Sequence, residues 1–168
     1  MPSFYPYLIA SLPMLHFEGR LPLTFEKFLL ICHELIPEKD FQILEMITLS
    51  PEQNEGQPII KQWREFDTSL RNELVRLRAA RKKIDSARYL RADGYSGPSL
   101  YHIALAAQRN PSPLEAEKLL DRERWNLLEE LAFGHYFDLS FLIIYAYKLL
   151  ILERWEKVAQ ADKNSLAQ

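Results

Sequence analysis

The chain has 168 residues, a formal net charge of −2 and a hydrophobic fraction of 48% that includes three Trp. That is long enough to bury a core without staples and too apolar for a disordered polymer, and the length predicts a single domain spanning residues 1–168. Cys32 is the only cysteine, which excludes an internal disulfide framework and a cysteine-based zinc cluster and fits a reducing compartment.

The opening stretch, MPSFYPYLIASLPMLHF, contains an apolar run with no basic region ahead of it and with prolines inside it. A signal peptide is therefore not expected, and the cytoplasm is the expected location. Pro13 and Pro22 argue against one long helix there, and a short helix and an extended segment both stay open. From Thr24, an N-cap residue type, Phe25, Phe28, Leu29, Cys32, Leu35 and Ile36 recur at helical spacing until Pro37. A second short helix is expected to hold Phe41, Leu44 and Ile47, and the Pro, Asn and Gly of SPEQNEGQP, residues 50–58, mark a loop.

The longest regular segment follows. Trp63, Leu70, Leu77 and Ile84 stand seven apart, with Phe66, Leu74, Ala80 and Ala87 filling the same stripe. The pattern predicts one amphipathic helix over about residues 59–90, most of whose surface is polar, as suits an exposed arm or one side of a coiled-coil-like pair. Ser99 is a cap for a short helix through LYHIALAAQ. Ser112 and Glu115 then form an S-x-x-E capping box with Pro113 at the first helical position. The helix after it carries Leu119, Leu120, Trp125, Leu128, Leu131 and Ala132 and ends at Gly134, a left-handed C-cap. Asp138 caps the last helix, and the short connection predicts an antiparallel C-terminal pair. The fold class expected is all-α, a helical bundle, since neither period-two alternation nor an Asn-Gly hairpin signal occurs.

The last segment, HYFDLSFLIIYAYKLLILERWEKV, is apolar enough to raise the question of a membrane anchor. Its unbroken run from Phe141 to Tyr147 is interrupted by Lys148, and charges follow Leu152 at once. A span takes about 20 apolar residues, so the segment is expected to be a helix buried in protein. Lys148 itself either snorkels to the surface, the simpler reading, or meets a partner as a paired or interfacial ammonium.

Between Arg71 and Arg91 the eight cations Arg71, Arg76, Arg78, Arg81, Lys82, Lys83, Arg88 and Arg91 face only Glu73 and Asp85, a net +6, so the rest of the chain carries −8. Such a face is a solvated surface neutralised by the acidic 115–130 region, a contact for an acidic protein, or a track for phosphates. Interleaved aromatics are absent from it and the pI is 6.1, so nucleic acid is the weakest of the three. His16, His33, His102 and His135 have no metal-ligand spacing. Cys32, His33 and Glu34 point in different directions on a helix, and GYSGP at Gly94–Pro98 lacks the G-x-S-x-G elbow. Neither nucleotide-binding motif is present, so no catalytic residue, cofactor or metal is expected.

Three segments carry a resemblance: YPYLIASLPMLHF at Tyr5–Phe17, NPSPLEAEKLLDRERWNLLEEL at Asn110–Leu131 and HYFDLSFLIIYAYKLLILERW at His135–Trp155. Its most specific residues are Leu12, Pro13, Arg124, Trp125, Tyr147, Lys148, Leu149, Glu153, Arg154 and Trp155. The chain resembles an uncharacterised family of small helical proteins encoded within V-type ATPase operons of some bacteria. By that position such proteins look like stand-ins for the C (d-type) subunit, which couples the central rotor shaft to the membrane ring. The resemblance implies a non-enzymatic subunit or an assembly and coupling factor that contacts the central stalk or catalytic head. It would be cytoplasmic, peripheral at the inner membrane within the complex, and without an integral membrane segment. The expected partner-binding residues are Arg76, Arg78, Arg81, Lys82, Lys83, Arg88, Lys148, Arg154 and Trp155. A nucleic-acid-binding helical protein using the 71–91 face is the alternative, and an enzyme with no recognisable motif the third.

Overall fold

The computed structural model describes residues 3–50 and 56–166, and every regular element among them is helical. Seven α-helices follow in order: α1 Pro6–Ser11, α2 Phe25–Leu35, α3 Glu38–Glu45, α4 Pro58–Lys82, α5 Tyr101–Arg109, α6 Pro113–Leu131 and α7 Leu139–Leu166, with one 3-10 turn at Ala87–Tyr89. The all-α expectation holds. Of the loop expected at residues 50–58, residues 51–55 lie outside the described part. The chain divides into two compact units, Met1–Glu52 with Leu128–Gln168, and Gln53–Leu127.

The first unit is built on α7. From Leu142 to Leu152 this helix is buried at every position except Lys148 and Leu150, which are half-buried, so its apolar residues run around the whole helix instead of along one stripe. No helix among the described residues is long and apolar enough to cross a membrane. Thr24 Oγ1 accepts from the Lys27 amide at 3.2 Å and caps α2 as its residue type predicts. Glu153 of α7 accepts from the Phe25 amide at 2.7 Å, a second cap supplied from the far side of the sequence. The start of the chain is a short helix, α1. It is held by the Tyr5 hydroxyl donating to the buried Asp40 carboxylate, and by the Tyr5 amide donating to the Phe137 carbonyl at 2.6 Å. Tyr145 of α7 donates to the Pro13 carbonyl at 2.7 Å, and its ring lies 5.3 Å from that of Phe28. Gly134 adopts φ +85° after α6, and Asp138 Oδ1 accepts from the Phe141 amide at 3.1 Å to start α7. The expected Asp138 cap is therefore present, while α6 ends at Leu131 and Gly134 takes its left-handed conformation in the turn beyond it.

In the second unit Phe66, Leu70 and Leu74 of α4 pack in one core cluster with Leu100, Ala104 and Ala107 around α5 and Leu120 of α6. The α4 stripe expected to run to Ala87 stops sooner. The Lys83 amide donates to Ala80 and the Ile84 amide to Ala79, with Lys83 at φ 55°, ψ 41°. This is a Schellman closure with lysine in the left-handed position that glycine usually takes. Ile84 and Ala87 are consequently exposed beyond the helix end. Ser112 Oγ accepts from the Glu115 amide at 3.3 Å as the capping box requires, while the Ser112 amide donates to Asn110 Oδ1 at 3.0 Å.

Candidate functional site

Among the described residues, a cleft in each unit collects four of the nine expected site residues, Arg154 in the first and Arg78, Arg81 and Lys82 in the second. In the first unit a cleft of about 770 Å3 is lined by Phe25 of α2, Glu45 of α3, Ile47 and Leu49 after it, and Leu150, Glu153, Arg154 and Val158 of α7. Its floor is apolar because α7 carries apolar residues past the point where α2 and α3 cover them. Its rim is charged, with Glu45, Arg154 and Lys157 alongside it. Arg154 thus stands at the mouth of an apolar groove, and Trp155 beside it in sequence is half-buried. Lys148 lies a turn and a half earlier on α7. Its side chain is 13% exposed and its Nζ meets Glu129 at 2.6 Å, a carboxylate that is itself 55% exposed. The ammonium therefore both reaches the surface and finds a partner there, which joins the two expectations for it.

In the second unit the basic stretch sorts into paired and outward-facing cations. Arg71 donates to Asp67 at 2.6 Å and Arg76 pairs with Glu73, each within α4. Arg78, Arg81 and Lys82 instead line a cleft of about 520 Å3. Its floor is Leu74, Ala107, Ala116 and Leu120, and Glu117 of α6 stands on its border. Lys83 forms the helix closure, and Arg88 lies exposed in the 3-10 turn. Of the expected set, the fold thus brings Arg78, Arg81 and Lys82 together, leaves Arg76, Lys83 and Arg88 outside that cleft, and places Lys148, Arg154 and Trp155 in the other unit.

Sequence reasoning missed the polar centre of the second unit. Arg124 donates from Nε to Asp67 at 2.8 Å and from a terminal nitrogen to Asp121 at 2.8 Å, and all three residues are buried. Burial works against its charge, but the two carboxylates outweigh it and raise its pKa, so the guanidinium stays charged. Asn72, in the middle of α4, is also buried. It donates to the Arg91 carbonyl at 2.7 Å and to Asp93 at 2.8 Å, and accepts from the Arg91 amide at 3.0 Å. The available signal was the helical register itself, since Asp67, Leu70 and Leu74 share the face that Trp63 begins.

Cys32 is fully buried, and burial pushes its thiol up to about 12, which makes it a core residue and a poor nucleophile. His135 Nδ1 meets Asp138 Oδ2 at 2.6 Å across the turn between α6 and α7. Among the described residues no group of three His, Cys, Asp or Glu is placed to hold a metal ion.

Residues 100–165, which take in α5, α6 and most of α7, match a family described as a protein of unknown function, DUF2764. The match covers the second and third segments of the resemblance described above and not the first. No curated protein and no solved structure matches the chain.

Proposed function

We propose that the protein is a non-enzymatic subunit or assembly and coupling factor of a V-type ATPase, cytoplasmic and held at the membrane only through that complex. The observation that carries this reading is the apolar cleft of the first unit, with Phe25, Ile47, Leu49, Leu150 and Val158 on its floor and Arg154 and Lys157 at its edge. Apolar floors with charged rims are what an amphipathic helix of a partner subunit requires, since its apolar face supplies the area and the rim sets its register. The resemblance of the three segments to proteins encoded with V-type ATPases supplies the identity of that partner. Arg154, named by the resemblance, stands at this cleft.

The test is recovery of the native complex. Tagged protein at native levels is expected to bring down V-type ATPase subunits in moderate salt, and Val158→Glu, which places a carboxylate on the cleft floor, is expected to abolish the recovery with an unchanged circular dichroism spectrum. Recovery of no ATPase subunit by the unaltered protein would refute the reading. A submicromolar shift of nucleic acid that collapses as salt rises would favour the alternative of a phosphate-tracking protein.

A further inference from the structure

The cleft of the second unit is electrostatically unbalanced. Arg78, Arg81 and Lys82 are exposed and line one wall, and their side chains form no hydrogen bond or ion pair among the described residues. One turn earlier the same helix satisfies its cations internally, Arg71 with Asp67 and Arg76 with Glu73. Cations in the last turn of α4 complement its macrodipole. That role needs no apolar floor, yet beneath these three lie Leu74, Ala107 and Leu120 of the core cluster, with Ala116 beside them.

We propose that this cleft docks an acidic segment of a partner protein, its carboxylates on Arg78, Arg81 and Lys82 and an aliphatic side chain on the floor between them. Charge complementarity selects the acidic segment, and the floor selects protein over other polyanions. A nucleic-acid strand would use the cations, but no aromatic residue lines the cleft for a base to stack on. A free phosphate would leave the floor uncovered. Glu117 on the α6 side repels carboxylates, so the acidic residues lie toward α4. This inference concerns a different surface from the cleft of the first unit and does not rest on the ATPase reading.

Fluorescence anisotropy with the intact protein tests it, using a labelled peptide of Glu-Glu-Leu repeats, its Glu-Glu-Ser counterpart and a single-stranded DNA oligonucleotide. The Glu-Glu-Leu peptide is expected to bind, and the double variant Arg78→Glu, Arg81→Glu to bind it at least about tenfold more weakly, the scale of losing close charge pairs at an interface. The serine peptide is expected to bind about tenfold more weakly than the leucine peptide, as loss of a buried aliphatic anchor implies. The double variant must keep its helical circular dichroism spectrum; if it does not, Arg81→Ala and Lys82→Ala, each removing one exposed side chain, decide in its place by the same loss of binding. No binding of the leucine peptide, equal binding by the variants, or serine peptide or DNA bound as tightly as the leucine peptide would each overturn the proposal.

Discussion

At Tyr5 a single hydroxyl ties the start of the chain to a buried carboxylate. Burial, and then the hydrogen bond to Asp40, push the phenol from 10.0 up to about 12. Burial likewise holds the Cys32 thiol at about 12 against an ordinary value of 9.0. Both are acids kept neutral by the fold, so the stability they contribute is fully present below their unfolded values and is lost as pH rises through about 12. Thermal unfolding across that alkaline range is expected to show a falling midpoint, and Tyr5→Phe, which removes one of these titrations, a shallower fall. The same burial makes Cys32 unreactive toward a thiol reagent until the protein is unfolded. Arg124 presents the opposite problem, a charge that must stay. Replacing it with Met leaves Asp67 and Asp121 buried without their shared cation, and urea denaturation is expected to show a loss of about 3–5 kcal/mol. An isosteric swap of an exposed pair such as Arg76 with Glu73 should move stability by less than about 1 kcal/mol.

Helix ends decide how far each element runs, and they differ in how openly the sequence announces them. Thr24, Ser112 and Asp138 are the residue types their positions demand, so three helix starts were legible in the sequence, and Gly134 marked the turn after α6. Lys83 was not. It occupies the left-handed region at φ 55°, where glycine is the usual signal, and the heptad stripe of Trp63, Leu70 and Leu77 continues smoothly in sequence through Ile84 although the backbone has already turned. Lys83→Gly should relieve this conformation and raise stability by up to about 1 kcal/mol, read as a shifted denaturant midpoint. Gly134→Ala should do the reverse at φ +85°, costing about 1 kcal/mol through backbone conformation alone, because an added Cβ meets nothing within 4 Å. The candidate site was legible only as charge. The +6 stretch was evident, but Leu74, Ala107 and Leu120, which turn its last cations into a cleft, come from three helices, and periodicity within one helix does not say which neighbour it meets.

Over the whole molecule, far-UV circular dichroism is expected to show a predominantly helical spectrum, since α4 and α7 alone span Pro58–Lys82 and Leu139–Leu166; a strand-dominated spectrum would contradict the fold. The apolar segment that raised the membrane question belongs to α7, the buried centre of its unit, where it is met by α2 and α3 and by Pro13 from the other end of the sequence. That arrangement has a bearing on how the polypeptide matures. The second unit is continuous, Gln53–Leu127, whereas the first combines Met1–Glu52 with Leu128–Gln168, and the Phe25 amide waits for Glu153, 128 positions later. As a chain leaves the ribosome at about 5–20 residues per second, the continuous portion gathers its contacts first, and α2 and α3 spend several seconds without the helix they pack on. The earliest residues synthesised are then among the last to fold, and a ribosome-bound nascent chain whose α7 is still inside the exit tunnel should expose Phe28 and Leu44 to chaperones and proteases while Leu70 and Leu74 are already protected by α5 and α6.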